Sequence, residues 1–251
     1  MSHTQNLSKS QTTLYRSLKQ SKFRKQEGLF LLEGVRLCEE AFNSDLKLVA
    51  CITAKNFETL SIPDAIPQFE ASSTQIQQIS DHPNPQGIIL VAKIPEPQAL
   101  PAPKQGSILV AVDRISDPGN LGTILRTALW FGVTDILLGP DCVDPYNPKV
   151  VRASMGAIAG MNLHFTDNLV TSSREWKTAN GEIAALHMSG TDLGKYQPEK
   201  GLFLIIGSEA HGVSDQLLSV STSLSINKIG QGESLNAAMA LGIALYELSK
   251  D

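Results

Sequence analysis

The stretch from residue 107 to residue 132 constrains the fold of this chain most. It runs from an uninterrupted apolar segment through an acidic residue and a Pro-Gly turn to Asn120, where the spacing of apolar residues predicts the start of a helix. A strand, a tight loop and a helix in this order are typical of α/β proteins, which bind ligands at such loops. Arg126 lies off the apolar stripe of the predicted helix and beside Trp130, so this side is either a chance surface pair or a functional face.

Composition narrows the class of protein. A chain of 251 residues, 42% of them hydrophobic, can form two domains or one large one. The net charge of -4 gives no overall basic character, so binding of nucleic acid would need a local patch. Three widely spaced cysteines (Cys38, Cys51 and Cys142) predict reduced thiols rather than disulfides or a zinc site. We expect a cytoplasmic protein, because we find neither a secretory signal nor an apolar run long enough to span a membrane.

The first hundred residues predict a small α/β domain. Strands are expected at 28–34, 47–53, 68–70 and 88–92, with helices at 35–42 and 72–79, the second capped by Ser73 or Thr74. Four prolines between residues 94 and 103 predict an extended spacer. The predicted division is therefore a first domain at 1–94, a linker at 95–104 and a second domain at 105–251.

A basic segment precedes the first strand. No acidic residue occurs before Glu27, and Arg16, Lys19 and Lys22 recur at a spacing that predicts one basic ridge on a helix, with Arg24 close by. Such a ridge suits a phosphate backbone, and a solvated, partly frayed helix is the alternative.

The second domain predicts a parallel sheet covered on both faces, because its strands are continuous apolar runs. The strands are expected at 108–112, 135–138, 183–186, 202–206 and 224–226, and the helices at 121–131, 150–160 and 234–249, the last capped by Ser234.

Three strand ends in this domain carry glycine-rich loops with polar side chains. These loops offer the candidate site residues Asn120, Arg126, Glu209, Ser234 and Asn236. The glycine-rich dinucleotide fingerprint, the Walker A loop, the Gly-x-Ser-x-Gly elbow and histidine pairs at metal-ligand spacing are all missing from the sequence. No metal site is therefore predicted.

These loops carry a family resemblance. Residues 117–126, 207–212 and 233–236 resemble the three motifs of the SpoU (TrmH) family of RNA ribose 2′-O-methyltransferases, in the SPOUT superfamily, and residues 146–156 agree as well. Residues 22–24, 30–34 and 84–87 are similar to the RNA-binding substrate domain often attached to this family, whose fold is like that of a small ribosomal protein.

The resemblance implies a C-terminal parallel-sheet domain with a deep trefoil knot, a homodimer, and S-adenosylmethionine bound in the knot. Knots are rare exceptions to ordinary chain topology, and the residue pattern alone does not predict one. By motif position, backbone groups of Gly207, Ile226 and Leu235 would contact the methyl donor. Asn227 and Lys228 depart from the family pattern, which usually has Pro and an apolar residue after the strand isoleucine.

For the reaction, the resemblance places Arg126 beside the target ribose and its phosphate. A 2′-hydroxyl is a poor nucleophile until it loses its proton, so we expect Arg126 to orient the phosphate and assist deprotonation. Asn120, Ser234 and Asn236 would hold the reacting groups in line, and Glu209 would tie the loops together. The expected RNA-binding residues are Arg16, Lys19, Lys22, Arg24, Lys149 and Arg152.

The favoured substrate is ribosomal RNA, because of the attached substrate domain. The alternatives are a transfer RNA 2′-O-methyltransferase and a non-catalytic RNA-binding or ribosome-assembly protein.

Overall fold

The computed structural model describes residues 4–55 and 57–250, which form two compact units. The first unit comprises the residues up to Glu96 together with Asp144–Gly160, and the second comprises Pro97–Val143 and the residues from Met161 onward. No helix in the described ranges is long and apolar enough to cross a membrane.

The first unit is built on a mixed sheet. Its strands are β1 (Gln5–Asn6), β2 (Leu29–Glu33), β3 (Leu48–Ala54), β4 (Gln68–Ala71) and β5 (Ile88–Lys93). Within the described residues they stand in the order β1-β4-β3-β5-β2, with β5 antiparallel to both of its neighbours. The helices are α1 (Lys9–Ser17), α2 (Ser21–Glu27), α3 (Val35–Phe42) and α4 (Ser73–Ile79). The small α/β unit is thus confirmed.

Helix starts in this unit follow from side-chain caps. In α4 the Ser72 hydroxyl accepts from the backbone N–H of Gln75, and the Gln75 side chain accepts from the backbone N–H of Ser72. The predicted cap at Ser73 or Thr74 is therefore wrong by one or two residues. In the same way Ser8 and Gln11 begin α1.

The basic ridge predicted for the first residues is also wrong. Helix α1 ends before Leu18, α2 begins after Gln20, and Leu18 between them is fully buried. Arg16 and Lys22 are exposed on different helices, and Lys19 lies half-buried in the break. These cations do not share one helical face.

Residues 144–160 pack with the first unit, so a linear division at residue 105 does not describe the structure. Helix α6 (Pro148–Ala153) packs against β2, and a 3-10 turn, η1 (Ala157–Gly160), follows it. The predicted single helix at 150–160 is wrong, because Met155 and Gly156 have φ angles of 51° and 98° in the left-handed region.

The second unit holds an all-parallel sheet. Its strands are β6 (Ile108–Asp113), β7 (Asp135–Leu138), β8 (Asn162–Phe165), β9 (Glu182–Asp192), β10 (Leu202–Gly207) and β11 (Thr222–Ser225). In the described part of the chain their order is β11-β9-β10-β6-β7-β8. The helices are α5 (Pro118–Trp130), α7 (Leu169–Thr178), α8 (Asp215–Leu218) and α9 (Ala237–Leu248), with a 3-10 turn, η2, at Leu193–Lys195.

The parallel α/β architecture predicted for this unit is confirmed, and the trefoil knot stays a prediction. The sheet is buried as its apolar strands require, since every residue of β10 is buried and the large side chain of Phe203 is completely so. Strands β10 and β6 pair in register from Leu202–Ile108 to Gly207–Asp113, so their carboxyl ends lie side by side.

Candidate active site at the strand ends

Three loops of the second unit meet in a cluster of hydrogen bonds. Asn236 Nδ2 donates to Asn120 Oδ1 at 2.8 Å and also to Glu209 Oε1, while Asn120 Nδ2 donates to Glu209 Oε1 at 3.2 Å. We call Asn120, Glu209 and Asn236 the strand-end cluster. Its members are 27 to 116 residues apart in the sequence, so the fold alone brings them together.

Asn120 is held by the first turn of α5. Helix α5 begins at Pro118, and Asp117 is its N-cap, accepting from the backbone N–H of Asn120 at 2.8 Å. The helix therefore begins before Asn120, contrary to the sequence prediction. Because Asp117 accepts from the backbone N–H of Asn120, the Asn120 side chain is free to form hydrogen bonds with Glu209 and Asn236 on the other two loops.

Asn236 combines two roles. Its Oδ1 caps α9 by accepting from the backbone N–H groups of Ala238 and Met239, at 3.1 and 3.2 Å, and its Nδ2 serves the cluster. The predicted cap Ser234 is thus wrong, and Ser234 lies two residues earlier as an exposed residue of the preceding loop.

Glu209 sits on a sharply turned loop after β10. A Cβ on Gly207 would lie 2.1 to 2.3 Å from backbone atoms of Gly212 and Val213, so the loop can fold back on the strand end only if residue 207 is glycine. The backbone N–H of Gly212 donates to Ser208 O at 2.8 Å and closes the loop.

Sequence reasoning missed a clamp beneath this loop. Asp113, buried at the end of β6, accepts from Arg114 and from the backbone N–H of Ser214, the latter at 2.9 Å. Arg114 has a φ of 57° and donates to Gly212 O at 3.3 Å. An acidic residue ending a buried strand was the available signal for this role. The clamp joins the β6 and β10 ends, and with them the loops that carry Asn120 and Glu209.

The loop between β11 and α9 leaves backbone groups free. From Lys228 to Leu235 no backbone hydrogen bond joins the loop to other described residues. Leu235 is half exposed and Ile229 fully so. Asn227, one of the departures from the family pattern, donates to Asp192 Oδ2 at 2.9 Å and anchors the start of this loop beside the end of β9.

Arg126 does not belong to the strand-end cluster. It follows Asn120 by six residues, which places its Cα about 9 Å further along the axis and about 120° around the helix. It is exposed and makes no hydrogen bond with any described residue. Of the predicted catalytic residues, the structure therefore brings together Asn120, Glu209 and Asn236, and leaves Arg126 and Ser234 outside the cluster.

Arg126 borders an apolar surface formed by α5 and α9. Trp130, one turn beyond it, is 84% exposed, and Met239, Ile243 and Tyr246 are exposed at helical spacing along α9. We call these four side chains the apolar face. Exposed large hydrophobic residues grouped on adjacent helices mark an interaction surface more often than isolated ones do.

The predicted RNA-binding residues differ in their surroundings. Arg24 is 2% exposed, and its guanidinium binds Asp144 and two backbone carbonyls, so the prediction that it contacts RNA is wrong. Lys149 is exposed, and Arg152 lies half-buried with its Nη2 3.7 Å from Asp81 Oδ2.

Comparison with known proteins identifies the family. Residues 107–246 match the model of the SpoU rRNA methylase family, and residues 11–90 match that of the MRM3-like substrate binding domain. The chain is 33% identical to an uncharacterized tRNA/rRNA methyltransferase of Synechocystis, over 92% of this chain and 88% of that one. It is 30% identical to the 23S rRNA (guanosine(2553)-2′-O)-methyltransferase RlmP of Bacillus subtilis, over 93% and 94% of the two chains.

Solved structures agree with these relatives. An AdoMet-bound rRNA methyltransferase from Sinorhizobium meliloti superposes with a TM-score of 0.85 at 28% identity, covering 97% of this chain and 95% of that one. The SpoU methyltransferase AviRb of Streptomyces viridochromogenes, at 22% identity, shares the fold with a TM-score of 0.84 over 96% and 97% of the chains. The matched models, the relatives and the strand-end geometry all agree: the chain belongs to the SpoU rRNA methylase family and is an RNA methyltransferase.

Proposed function

We propose that this protein transfers the methyl group of S-adenosylmethionine to a ribose 2′-hydroxyl of RNA, with ribosomal RNA as the substrate class. The observation that carries the proposal is the meeting of Asn120, Glu209 and Asn236 at one edge of the parallel sheet. That edge is where open α/β sheets bind ligands. The activities named for the Bacillus subtilis and Sinorhizobium meliloti relatives support both the methyl donor and the substrate class.

The residues present fit the methyl donor. Gly207, Ile226 and Leu235 lie in the two loops that follow β10 and β11, and the free backbone groups from Lys228 to Leu235 can supply donors and acceptors to an adenosine and an amino acid group. The half-exposed Leu235 side chain offers an apolar contact. When bound, S-adenosylmethionine supplies an electrophilic methyl group on a positively charged sulfur.

The protein's own contribution is to place the ribose and to stabilise its 2′-oxygen as the proton is lost. The 2′-oxygen would bond to the methyl carbon as the carbon–sulfur bond breaks, and its proton would pass to water. The Arg126 guanidinium stays protonated and so cannot act as a simple base. Its positive charge would instead hold the adjacent phosphate and stabilise the developing oxyanion. The strand-end cluster would keep its three loops, and the groups bound on them, in line for displacement.

We propose that two copies of the chain form a homodimer through the apolar face. The apolar face exposes four large hydrophobic side chains on two adjacent helices. Leaving them in water costs free energy that burial against a second copy would recover. Arg126 beside Trp130 would then lie at the border of the interface. Replacing Trp130 by Glu should convert the dimer to a monomer in light scattering, and a Trp130→Glu protein that stays dimeric would remove the apolar face from the proposal.

Ribosomal RNA is favoured over transfer RNA by the match of residues 11–90 to the MRM3-like substrate binding domain. Buried reduced thiols at Cys38 and Cys51 fit a reducing compartment such as the cytoplasm. In RNA binding, we assign phosphate contacts to Arg16, Lys22 and Lys149, which are exposed.

The test is methyl transfer from labelled S-adenosylmethionine to protein-free ribosomal RNA and to transfer RNA, followed by mapping of 2′-O-methyl positions. We expect transfer to ribosomal RNA. Arg126→Ala should lower the rate about 10²- to 10³-fold, as loss of an oxyanion-stabilising group does. The same variant should bind S-adenosylmethionine in calorimetry as the parent protein does.

The exposed Arg174 on α7 provides a matched control, since Arg174→Ala removes the same charge at a distance from the strand ends in the sequence. Near-normal turnover by Arg126→Ala would refute its assigned role. Absence of donor binding at millimolar S-adenosylmethionine would refute the proposed activity itself.

A further inference from the structure

We propose that a cavity in the first unit binds one unstacked nucleobase of the RNA and so determines which site is methylated. This inference rests on the proposed function for the identity of the ligand as RNA. The cavity measures about 210 Å³ and lies wholly within the first unit. Its walls are formed by β2, the start of α3, the turn before β5, and the segment 148–155, and they include Leu31, Leu37, Val151 and Met155.

The size and walls of the cavity fit a single flat ring system. Pockets for drug-sized ligands measure about 300–1,000 Å³, so a cavity of about 210 Å³ suits one ring system better than a whole dinucleotide. Leu31, Leu37 and Val151 are buried aliphatic side chains that can pack on a ring face, and the half-exposed Met155 lies at the rim. Proteins recognise single-stranded RNA by stacking its splayed-out bases on aromatic rings or guanidinium planes, and His82 and Arg152 supply such groups beside the aliphatic walls.

Two of the acceptor groups that line the cavity are already engaged. Both oxygens of Glu33 are used, by the Ser80 hydroxyl and by the backbone N–H of Asp81. The Gln86 side-chain oxygen accepts from the backbone N–H of Val35 at 2.8 Å. The Glu33 carboxylate and the Gln86 amide oxygen are therefore already engaged, and the Asp81 carboxylate lies 3.7 Å from the Arg152 guanidinium.

Three donors remain available. The amide nitrogens of Asn84 and Gln86 and the guanidinium of Arg36 make no hydrogen bond with other described residues. The amides match the carbonyl oxygens or ring nitrogens on the edge of a base. Arg36, exposed at the start of α3, suits the phosphate next to that base.

Charge favours a neutral ring over a free phosphate. The carboxylates of Glu33 and Asp81 stand against the guanidinium groups of Arg36 and Arg152, so the lining carries no net charge apart from His82. Arg152 is already partly neutralised by Asp81 at 3.7 Å. A phosphate inside the cavity would lie beside two carboxylates and be repelled by them. A neutral base inside, with its phosphate outside, would bring no negative charge next to these carboxylates.

One wall of the cavity is continuous in sequence with the second unit. Residues 148–155 form one wall, and this segment leaves the second unit after β7 and returns to it at β8. A base bound against Val151 and Met155 would therefore fix a segment whose two ends continue into the parallel sheet.

The test measures binding of short fluorescein-labelled RNA by anisotropy with the whole 251-residue chain. The probes are the four homopolymeric single strands and an abasic ribose–phosphate strand of equal length. Met155→Trp fills the cavity from its rim, and Met155 already has a positive φ, so a tryptophan there adds no new backbone conformation. Ala179→Trp, at an exposed position of the second unit, is the control.

We expect Met155→Trp to weaken the best-binding homopolymer about tenfold, as loss of one stacked base does, and to leave the abasic strand unchanged. Arg36→Ala should weaken base-containing and abasic strands alike and lower the salt slope by about one. If Met155→Trp fails to fold, Asn84→Ala provides the same comparison, because the Asn84 side chain is exposed and contributes no internal hydrogen bond.

Equal binding of every strand by Met155→Trp and the parent protein would overturn the inference. So would a parent protein that binds the abasic strand as tightly as the homopolymers. Because the readout is binding, a protein that shows base-dependent affinity but transfers no methyl group would refute the proposed function and leave only the cavity's binding of a base standing.

Discussion

Arg24 offers the sharpest test of the structural reasoning, because sequence and structure assign it opposite roles. The sequence makes it one of a group of RNA-facing cations, whereas the structure buries it with its Nε 3.1 Å from Asp144 Oδ2. Its Nη1 also donates to the carbonyl oxygens of Leu18 and Lys19, at 2.8 and 2.9 Å. Arg24 thus holds together the break between α1 and α2 and the start of the segment 144–160.

We expect Arg24→Met to lower the free energy of unfolding of the first unit by about 3–5 kcal/mol, the cost of removing one partner from a buried ion pair. Asp144 keeps the Ser21 hydroxyl and the Tyr146 backbone N–H as donors, and its side chain is 22% exposed. These features place the loss toward the lower end. In urea, with a slope of about 2 kcal/mol/M, the midpoint should fall by about 1.5–2.5 M.

The assay is urea unfolding followed by circular dichroism, with RNA binding measured on the folded fraction. Lys25→Met, the exposed neighbour of Arg24 on α2, removes the same charge and should change stability by less than about 0.5 kcal/mol. Arg24→Met combined with Asp144→Leu should recover part of the loss, because the second change removes the carboxylate that the first leaves without its counter-ion. A stable Arg24→Met protein with weakened RNA binding would refute the structural role.

Two further predictions concern other parts of the chain. Glu209→Ala should lower kcat/KM about 10²-fold, because two asparagine amides lose the acceptor that aligns their loops. Because Glu209 is exposed, the free energy of unfolding should change by less than about 1 kcal/mol. Steady-state kinetics and urea unfolding measure the two effects, and Glu175→Ala, at another exposed glutamate, is the control. Burial raises the pKa of Cys51 from 9.0 to about 12 and that of Cys38 also upward, so both thiols should be inert to a thiol reagent at pH 8 until the protein unfolds. Because the unfolded thiols ionise first, stability should also fall as the pH rises from 9 to 12, and rapid labelling of the native protein at pH 8 would contradict their burial.

Most strands of the two units could be predicted because they are apolar runs bounded by polar residues or glycine. The sequence analysis missed β1, which consists of two polar residues, and the short β8, in which only two of four residues are apolar. The strand-end cluster could be anticipated as well, since parallel strands with polar loops after them place those loops at one edge. Asn236, rather than Ser234, caps α9 because its Oδ1 reaches the N–H groups of Ala238 and Met239. Serine and asparagine are both good N-caps, so the sequence alone does not show which of the two begins the helix.

What could not be predicted depends on contacts far apart in the sequence. Arg24 and Asp144 are 120 residues apart, and no local pattern shows that an arginine has a distant carboxylate waiting for it. The same contact explains why residues 144–160 join the first unit although they lie between two strands of the second. Met155 in the left-handed region ends α6 where the small residues predicted a continuous helix.

The separation of Arg126 from the strand-end cluster makes oligomeric state part of the catalytic argument. If Arg126 of one copy completes the site built by Asn236 of the other, then Arg126→Ala and Asn236→Ala should each be inactive alone and should restore activity when co-expressed. In a mixed dimer one composite site carries both changes and the other carries neither, so random assembly should recover about a quarter of the parent activity. If both residues serve the same site within one chain, every site in the mixture carries one defect, and the mixture should be as inactive as either variant. Recovery of activity would support both the homodimer and the role of Arg126. If the variants form mixed dimers that remain inactive, each site is built from the residues of a single chain.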